Sequence, residues 1–393
     1  MMSKRKIVYF FILYFLFAVA VSLVHPVTVK YVASLNLPDS YFGFFVSLMS
    51  LGQVVGALVF GHLSDKIGRK WLVFIGLIGY CLSQVGFGFI NKIPLIILLF
   101  RFLAGFFVSA PSTLFVSLCI DYSDEKQKAK MLTMASSCYI LGSSLSYEIS
   151  GLLYDYANFS IKEIFIFQII FTLVTALLFA FLVKDVSKQK SKNVIIEKKS
   201  LKIKPIVYIL LVGLGVLTIA QILITKYLDT YILHLNYNTS ILGHYVFISG
   251  IISAVANILV IPFIKKIKDK RLEKLLLTFI LVSSILTFLT FVSNLNIIAM
   301  LYSSHIIYIV IKGLITPLEQ NELASYCNEK NTGKLTGVRQ MVISSGNVLG
   351  PLIGSVVYTK GSPLIFAIAA CIMLVSLTIY LSYFKTKKKT LSR

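Results

Sequence analysis

The sequence is poor in charged side chains, which make up only 14% of its 393 residues. Soluble domains carry roughly 25% charged residues and about 45–50% apolar ones. Here 57% of the residues are hydrophobic, and the mean hydropathy is +0.85. Such a chain has too little polar surface for a soluble globular protein, so the composition predicts an integral membrane protein.

Acidic residues are scarcer still, with 16 Asp and Glu against 38 Lys and Arg, for a net charge of +22. Most of the basic residues fall in alternate connections between apolar runs. The opposite connections hold only four of them: Lys30, Lys92, Lys162 and Lys360. By the positive-inside rule this asymmetry predicts a multi-pass protein of the cell membrane with both termini in the cytoplasm. The charge is thus a topology signal, and no nucleic-acid partner is expected.

The five cysteines lie in apolar segments, without the spacing of a metal site or a disulfide framework. No phosphate-binding loop and no set of nucleophile and base is present either. The sequence therefore predicts neither an enzyme nor a metal or cofactor site.

Apolar runs of about 20 residues recur along the whole chain, and a bilayer admits such spans only as helices. The predicted fold is an all-α polytopic membrane protein with twelve transmembrane helices. The predicted spans are 7–30, 41–63, 71–90, 94–120, 131–155, 164–183, 205–233, 241–263, 272–293, 296–324, 334–358 and 362–384.

The lysine-rich stretch 184–204 divides these spans six and six. The predicted domains are an N-terminal six-helix bundle (1–183), a flexible cytoplasmic linker (184–204) and a C-terminal six-helix bundle with a basic tail (205–393). A shift of 204 residues aligns the halves, for example Asp65 with Asp269 and Gly142 with Gly346. Two such repeats are a known transporter plan, with the substrate site between them at mid-membrane.

The connection "GHLSDKIGRK" resembles the loop between helices 2 and 3 of the major facilitator superfamily, and "RFLAGFFVSAP" resembles its fourth helix. The matching residues are Gly61, Asp65, Lys66, Gly68, Arg69, Lys70, Arg101, Gly105 and Pro111. With the two halves, the resemblance covers essentially the whole chain. It implies a transporter that works by alternating access.

The resemblance also implies roles for individual residues. Asp65, Arg69 and Asp121 would form a cytoplasmic latch, and Arg101 would tune proton binding by a nearby acid. On physical grounds alone, Gly61 would let helices approach closely and Arg101 could instead donate hydrogen bonds to nearby carbonyls.

Charged groups near the bilayer centre are costly, so each one raises a functional question. Asp229 lies one turn from Lys226, which predicts either a static pair or a site for a proton or a cation. His25, beside Pro26, is expected to interrupt the first span, and His305 is a further titratable candidate.

Four charged residues belong to the predicted tenth and eleventh spans. Lys312 and Glu319 share a helix face, so Glu319 is expected to be paired or titrating. Glu322 is expected at the interface, and Arg339 is expected to snorkel to the cytoplasmic surface.

Glu148 lies in the fifth span, seven residues before Asp155, which is about 10 Å along a helix. Ser137, Ser144, Glu148 and Asp155 recur at helical spacing, and this stripe predicts a face turned to a cavity or a partner helix. Glu148 is predicted to bind a proton or a cationic substrate, with a structural hydrogen bond as the alternative.

In the drug-efflux branch of the family, the fifth span resembles the antiporter motif Gly-x-x-x-Gly-Pro-x-x-Gly-Gly. In the fifth span of this chain, only Gly142 and Gly151 of that motif remain, and the eleventh span keeps more of it. Small residues and a proline in the fourth, fifth and eleventh spans are expected to allow close helix packing: Gly105, Gly142, Gly346, Gly350, Pro351 and Gly354. The resemblance favours a proton-driven exporter of small amphipathic compounds. The chain is rich in aromatic residues, with 29 Phe and 21 Tyr, and an aromatic cavity suits apolar or cationic compounds through stacking and cation–π contact. A monomer is expected because both halves lie in one chain. The alternatives are a symporter or facilitator for a sugar, peptide or organic ion, and a polytopic sensor.

Overall fold

The computed structural model describes residues 4–38, 40–90, 93–121, 128–183, 204–264, 267, 269–326, 332–358 and 362–391, and no strand occurs among them. The helices are α1 (Lys4–Ser22), α2 (His25–Ser34), α3 (Ser40–Ile67), α4 (Arg69–Phe89), α5 (Pro94–Asp121), α6 (Lys128–Asp155), α7 (Ile161–Leu182), α8 (Pro205–His234), α9 (Thr239–Ile264), α10 (Asp269–Val292), α11 (Ile297–Met300), α12 (Ile306–Ala324), α13 (Thr332–Val357) and α14 (Leu364–Leu391). A π-helical turn, Leu301–His305, joins α11 to α12.

Within the described ranges, eleven helical stretches are long and apolar enough to cross a membrane, and each coincides with a predicted span. The remaining predicted span, 131–155, is occupied by α6. Its 28 residues reach about 42 Å, enough to cross, but six serines and Glu148 lower its hydropathy. The all-α polytopic fold is therefore confirmed, and α6 is its most polar long helix in sequence character.

Two spans are interrupted. The first breaks after Ser22 and restarts at His25 with Pro26 in the first turn, as predicted. The tenth contains the π turn that ends at His305, which the sequence did not reveal. Single π turns inside helices are frequent at functional sites.

Asparagine ends four of the helices on the side predicted to face outward. Asn36, Asn158, Asn236 and Asn294 have φ between 52° and 63°, just beyond α2, α6, α8 and α10. Asparagine tolerates this left-handed conformation and is a common residue after a helix end. After the second of these turns, α7 begins at a reciprocal capping box of Ser160 and Glu163.

The chain forms two compact units. The first comprises Met1–Ile196 with Ile232–Ala254, and the second comprises Glu197–Tyr231 with Val255–Arg393. In the first, α3 and α4 pack on α5 and α1 packs on α6; in the second, α10 packs on α14 and α12. Residues 184–203 of the predicted linker lie outside the described residues, so the division at 184–204 stays a prediction.

Aromatic side chains fill the interior of each unit. In the first, the rings of Tyr14 and Phe115 lie 4.8 Å apart, and Phe115 also meets Phe179. In the second, the rings of Phe291 and Phe366 stack at 3.8 Å. These contacts hold helices together where burial from water offers no driving force, because lipid is as apolar as the side chains.

Replacement of Gly68 by alanine is expected to destabilise the protein by about 1–3 kcal/mol. Gly68 separates α3 from α4 with φ 97° and ψ 155°, a conformation that a side chain rarely tolerates. Thermal unfolding of the purified protein in detergent measures the change. Gly61→Ala is the matched control, because Gly61 lies within α3; equal unfolding temperatures for the two variants would contradict the strained turn.

Candidate functional site

The predicted latch connects α3 to α4. Lys66 is exposed, and the Lys70 ammonium lies 5.4 Å from the ring centroid of Trp71. The side chains of Asp65 and Asp121 lie outside the described part of the structure, so the latch contacts stay a prediction. For Gly61 the expected close approach is corrected: it is exposed, and no described atom lies within 4 Å of a Cβ placed there.

Arg101 lies eight residues into α5 and is almost completely buried in the first unit. Its guanidinium carbon is 4.6 Å from the ring centroid of Phe87, a cation–π contact. Its Nε has no hydrogen-bond partner among the described residues, and no described carboxylate lies within 4.0 Å. The aromatic ring is therefore the principal described contact of this cation.

Glu148 lies on α6 and faces α9. Its Oε1 is 3.4 Å from Nδ1 of His244, while its Oε2 is buried and has no hydrogen-bond partner among the described residues. The Glu148 side chain is 19% exposed and that of His244 is 58% exposed. The pair thus joins a mostly buried carboxylate to an imidazole open to solvent.

His25 lies beside the same group of residues. Its ring is roughly parallel to that of Tyr147, with centroids 6.4 Å apart. Tyr147 directly precedes Glu148, so the break in the first span brings a second imidazole to α6.

The polar stripe of α6 faces a partner helix, one of the two alternatives predicted for it. A Cβ at Gly243 would lie 2.5 Å from the Tyr147 carbonyl oxygen, and one at Gly250 would lie 2.3 Å from the Ser144 side chain. A Cβ at Gly151 would lie 2.7 Å from Cα of Ser240. Small residues on both helices therefore bring α6 and the first part of α9 into backbone contact.

Asp155 closes the end of this helix pair. Its Oδ2 accepts a hydrogen bond of 2.6 Å from the Ser240 amide, and its Oδ1 lies 4.0 Å from the Lys30 ammonium. Lys30 also sits 4.1 Å from the ring centroid of Tyr154. Tyr154 and Asp155 belong to the lining of an open cavity of about 680 Å³ in the first unit.

In the second unit, Glu319 of α12 and Arg339 of α13 form a buried ion pair. Arg339 Nε donates to Glu319 Oε2 at 2.9 Å, and its terminal nitrogen is 2.8 Å from the same oxygen. Glu319 is 0% exposed and Arg339 is 8% exposed. The expectation that Arg339 snorkels to the surface was wrong, because a buried carboxylate on the neighbouring helix holds it inside.

Glu322, expected at the interface, is buried one turn further along α12. It accepts a hydrogen bond of 2.7 Å from the Lys387 ammonium and another from the Tyr383 hydroxyl. The Tyr383 hydroxyl is also 2.8 Å from that of Tyr326. The depth of Glu322 in the membrane stays a prediction, and the structure adds that α14 supplies both a cation and a phenol to this carboxylate.

Lys312 lies in the middle of the tenth span and donates a 2.7 Å hydrogen bond to the Thr225 hydroxyl of α8. Lys226 and Asp229 follow on α8, and Asp229 is buried. The shared face of Lys312 and Glu319 does not make them a pair, since Glu319 binds Arg339 instead.

His305 ends the π turn and is buried among aromatic rings. Its ring stacks on that of Tyr308, with centroids 5.2 Å apart, and meets the edge of Phe291 at 5.3 Å. The π turn thus places an imidazole in the aromatic interior of the second unit.

The residues predicted for close helix packing lie where neighbouring elements approach. A Cβ added to any of the glycines would lie between 1.9 and 2.9 Å from the nearest neighbouring atom: Gly105, Gly142, Gly346, Gly350 and Gly354. The Pro351 carbonyl oxygen accepts a hydrogen bond of 3.0 Å from the Tyr227 hydroxyl.

Sequence reasoning missed the partners of these acids. His244 and Lys387 contact Glu148 and Glu322 but drew no prediction. A buried amide pair, Gln84 with Gln168 at 2.7 Å, was missed as well. A polar residue inside an apolar run indicates that a polar partner exists, but it does not indicate where in the sequence that partner lies. In the described part of the chain, no group of three or more His, Cys, Asp or Glu could hold a metal ion.

Comparison with known proteins identifies relatives along the whole chain. The sequence matches the Major Facilitator Superfamily over residues 10–318 and 273–393. Multidrug resistance protein 2 of Bacillus subtilis is 22% identical over 392 residues, which cover 95% of this chain and 94% of that protein. Quinolone resistance protein NorA of Staphylococcus aureus is 25% identical over 365 residues, which cover 91% of this chain and 90% of that protein.

A solved structure shares the fold. A bacterial homologue of the human lysosomal transporter Spinster, in an inward-facing and occupied conformation, aligns with a TM-score of 0.80. The alignment covers 98% of each chain at 13% sequence identity. At that identity the likeness concerns the fold alone.

Proposed function

Because this chain belongs to the major facilitator superfamily, we propose that it is a secondary transporter that exports small amphipathic compounds in exchange for protons. The observation that carries the proposal is the likeness, over more than nine-tenths of the chain, to proteins named for multidrug and quinolone resistance. Alternating access would expose the substrate to each side in turn, driven by the proton gradient without a cofactor. The lysine-rich connections support a location in the plasma membrane with both termini cytoplasmic. A monomer is proposed because both halves of the transporter lie in one chain.

Glu148 and His244 are the proposed proton site. Oε2 of Glu148 is buried without a hydrogen-bond partner among the described residues, while Oε1 faces the imidazole of His244, so the carboxylate has one oxygen free to carry a proton. The exposed imidazole of His244 can pass a proton between solvent and Oε1. A movement of α6 against α9 would alter the contact between the two groups and thereby load or release the proton.

Everted membrane vesicles with an imposed pH gradient test the function. With an acidic lumen, the wild-type protein is expected to concentrate dyes and a quinolone in the lumen as protons leave. Uptake that does not depend on the gradient, or substrate movement only in the opposite direction, would contradict proton-driven export and favour a facilitator or symporter.

The Glu148→Gln variant is expected to lose most gradient-driven transport, at least about fivefold, while still binding substrate. Glutamine keeps the size of the side chain and removes the ionisable carboxyl group. Glu163→Gln is the matched control, because glutamine can take the place of glutamate in a capping box. Unchanged transport by Glu148→Gln across pH would exclude Glu148 as the proton site and leave the exporter proposal standing.

A further inference from the structure

Lys312 occupies a position where a cation is costly. It lies fifteen residues after Ile297 and twelve before Ala324, the ends of its membrane span, or about 22 Å and 18 Å along the helix. A lysine side chain is far too short to reach either interface from there. Charged residues at this depth face a water-filled path or a partner, and they mark substrate or ion sites.

The partner in the structure does not neutralise this charge. Lys312 donates to the neutral hydroxyl of Thr225, and no described carboxylate lies within 4.0 Å of its ammonium. An ammonium has three N–H donors, so two remain without an acceptor among the described residues. Thr225 itself is exposed, so the hydrogen bond lies at a surface of the second unit.

A second lysine lies close to Lys312. Lys226, next to Thr225 on α8, is close enough to Lys312 for their ammonium groups to repel each other. The acid in this part of α8 is Asp229, one turn from Lys226. These three residues together carry two positive charges and one negative charge.

The residue after Lys312 borders a polar amide. The side-chain oxygen of Asn257, on the part of α9 that belongs to the second unit, is 3.8 Å from a Cβ placed on Gly313. Gly313 follows Lys312, so the amide borders the same stretch of α12.

We propose that Lys312, with Thr225 and Lys226 beside it, binds the anionic group of the transported compound, so that the substrates include amphipathic carboxylates or sulfonates. Such an anion would accept hydrogen bonds from the remaining N–H groups of Lys312 and balance its charge. The inference rests on the proposed function, since it assigns a charge to the exported compound. It also replaces the preference for cations that the aromatic composition suggested.

Binding to the purified full-length protein in detergent tests the inference without a proton gradient. The probes share one fluorescent group and differ in charge: dansylglycine is an anion, dansylglycinamide is neutral, and dansylethylenediamine is a cation. The wild type is expected to bind dansylglycine at least about tenfold more tightly than the cation. Lys312→Gln is expected to weaken dansylglycine binding by about 10- to 100-fold, the usual effect of losing a charge-assisted hydrogen bond.

Three comparisons make the result specific. Lys312→Arg should keep the preference for the anion, Lys204→Gln should bind as the wild type does, and neutral dansylglycinamide should bind Lys312→Gln normally, which shows that this variant is folded. If Lys312→Gln is not folded, Lys226→Gln should show a smaller loss for the anion alone. Equal binding of the three probes by the wild type, or an unchanged preference in both glutamine variants, would overturn the inference.

Transport of the same probes separates this inference from the proposed function. Failure of the vesicles to move any probe under a gradient, with the anion preference in binding intact, would reject the exporter and keep the anion site. Gradient-driven export of the cation and the neutral probe without the anion would keep the exporter and reject the site.

Discussion

Replacement of Gly105 by alanine is expected to prevent accumulation of folded protein. A Cβ on Gly105 would lie 1.9 Å from the carbonyl oxygen of Met49 and 2.7 Å from its carbonyl carbon. These are backbone atoms of α3, so no side-chain rotation relieves the overlap, and α3 and α5 would have to separate. Overpacking typically costs about 1–3 kcal/mol, and a rigid backbone obstacle places this substitution at or above the upper end.

The opposite helix provides an independent check. A Cβ on Gly52 of α3 would lie 2.1 Å from the carbonyl oxygen of Phe102 on α5, so Gly52→Ala should fail in the same way. Yield of monodisperse protein and thermal unfolding in detergent are the measurements. Gly337→Ala is the control, because no described atom lies within 4 Å of that position. Similar yields from Gly105→Ala and Gly337→Ala would show that α3 and α5 are farther apart than the structure places them.

The membrane helices could be predicted because the bilayer imposes length and apolarity on each span. Even α6, which falls below the other spans in hydropathy, was predicted from its length and position. The break at His25 was predictable as well, since Pro26 cannot continue the hydrogen bonding of the preceding turn. The π turn at Leu301–His305 was not, because no proline or glycine marks it.

The partners of the intramembrane charges could not be predicted. Lipid-facing and interior faces of such a helix are both apolar, so periodicity does not show which face turns inward. Glu148 contacts His244, which is 96 residues away in sequence, and Glu322 contacts Lys387, which is 65 residues away. Which residues meet depends on the rotation of each helix about its axis, and packing sets that rotation.

The position of a charged residue along its membrane span also did not show what that residue contacts. Arg339 lies near the start of α13, where snorkelling is normally favourable. A carboxylate within hydrogen-bond reach holds the guanidinium inside the protein, because opposite charges attract each other more strongly in a medium of low dielectric constant than at the surface. Glu319 supplies that carboxylate, and the sequence showed both residues without showing that they meet.

Replacement of Arg339 by leucine is expected to lower stability by about 3–5 kcal/mol, a fall in the unfolding temperature of the order of 10 °C. The variant leaves the fully buried Glu319 without its cation, and Glu319 Oε1 already has no hydrogen-bond partner among the described residues. The double variant Glu319→Leu/Arg339→Leu removes both charges and is expected to unfold near the wild-type temperature.

Thermal unfolding of the wild type, both single variants and the double variant in the same detergent completes the cycle. Large losses in Glu319→Leu and Arg339→Leu, with recovery in the double variant, would identify the pair as a structural contact whose members are costly alone. If the double variant is as stable as the wild type but transports normally, Glu319 is excluded as a proton carrier. If its transport no longer responds to the pH gradient, the pair joins Glu148 and His244 in proton coupling. Single variants as stable as the wild type would mean that Glu319 and Arg339 do not meet in the folded protein.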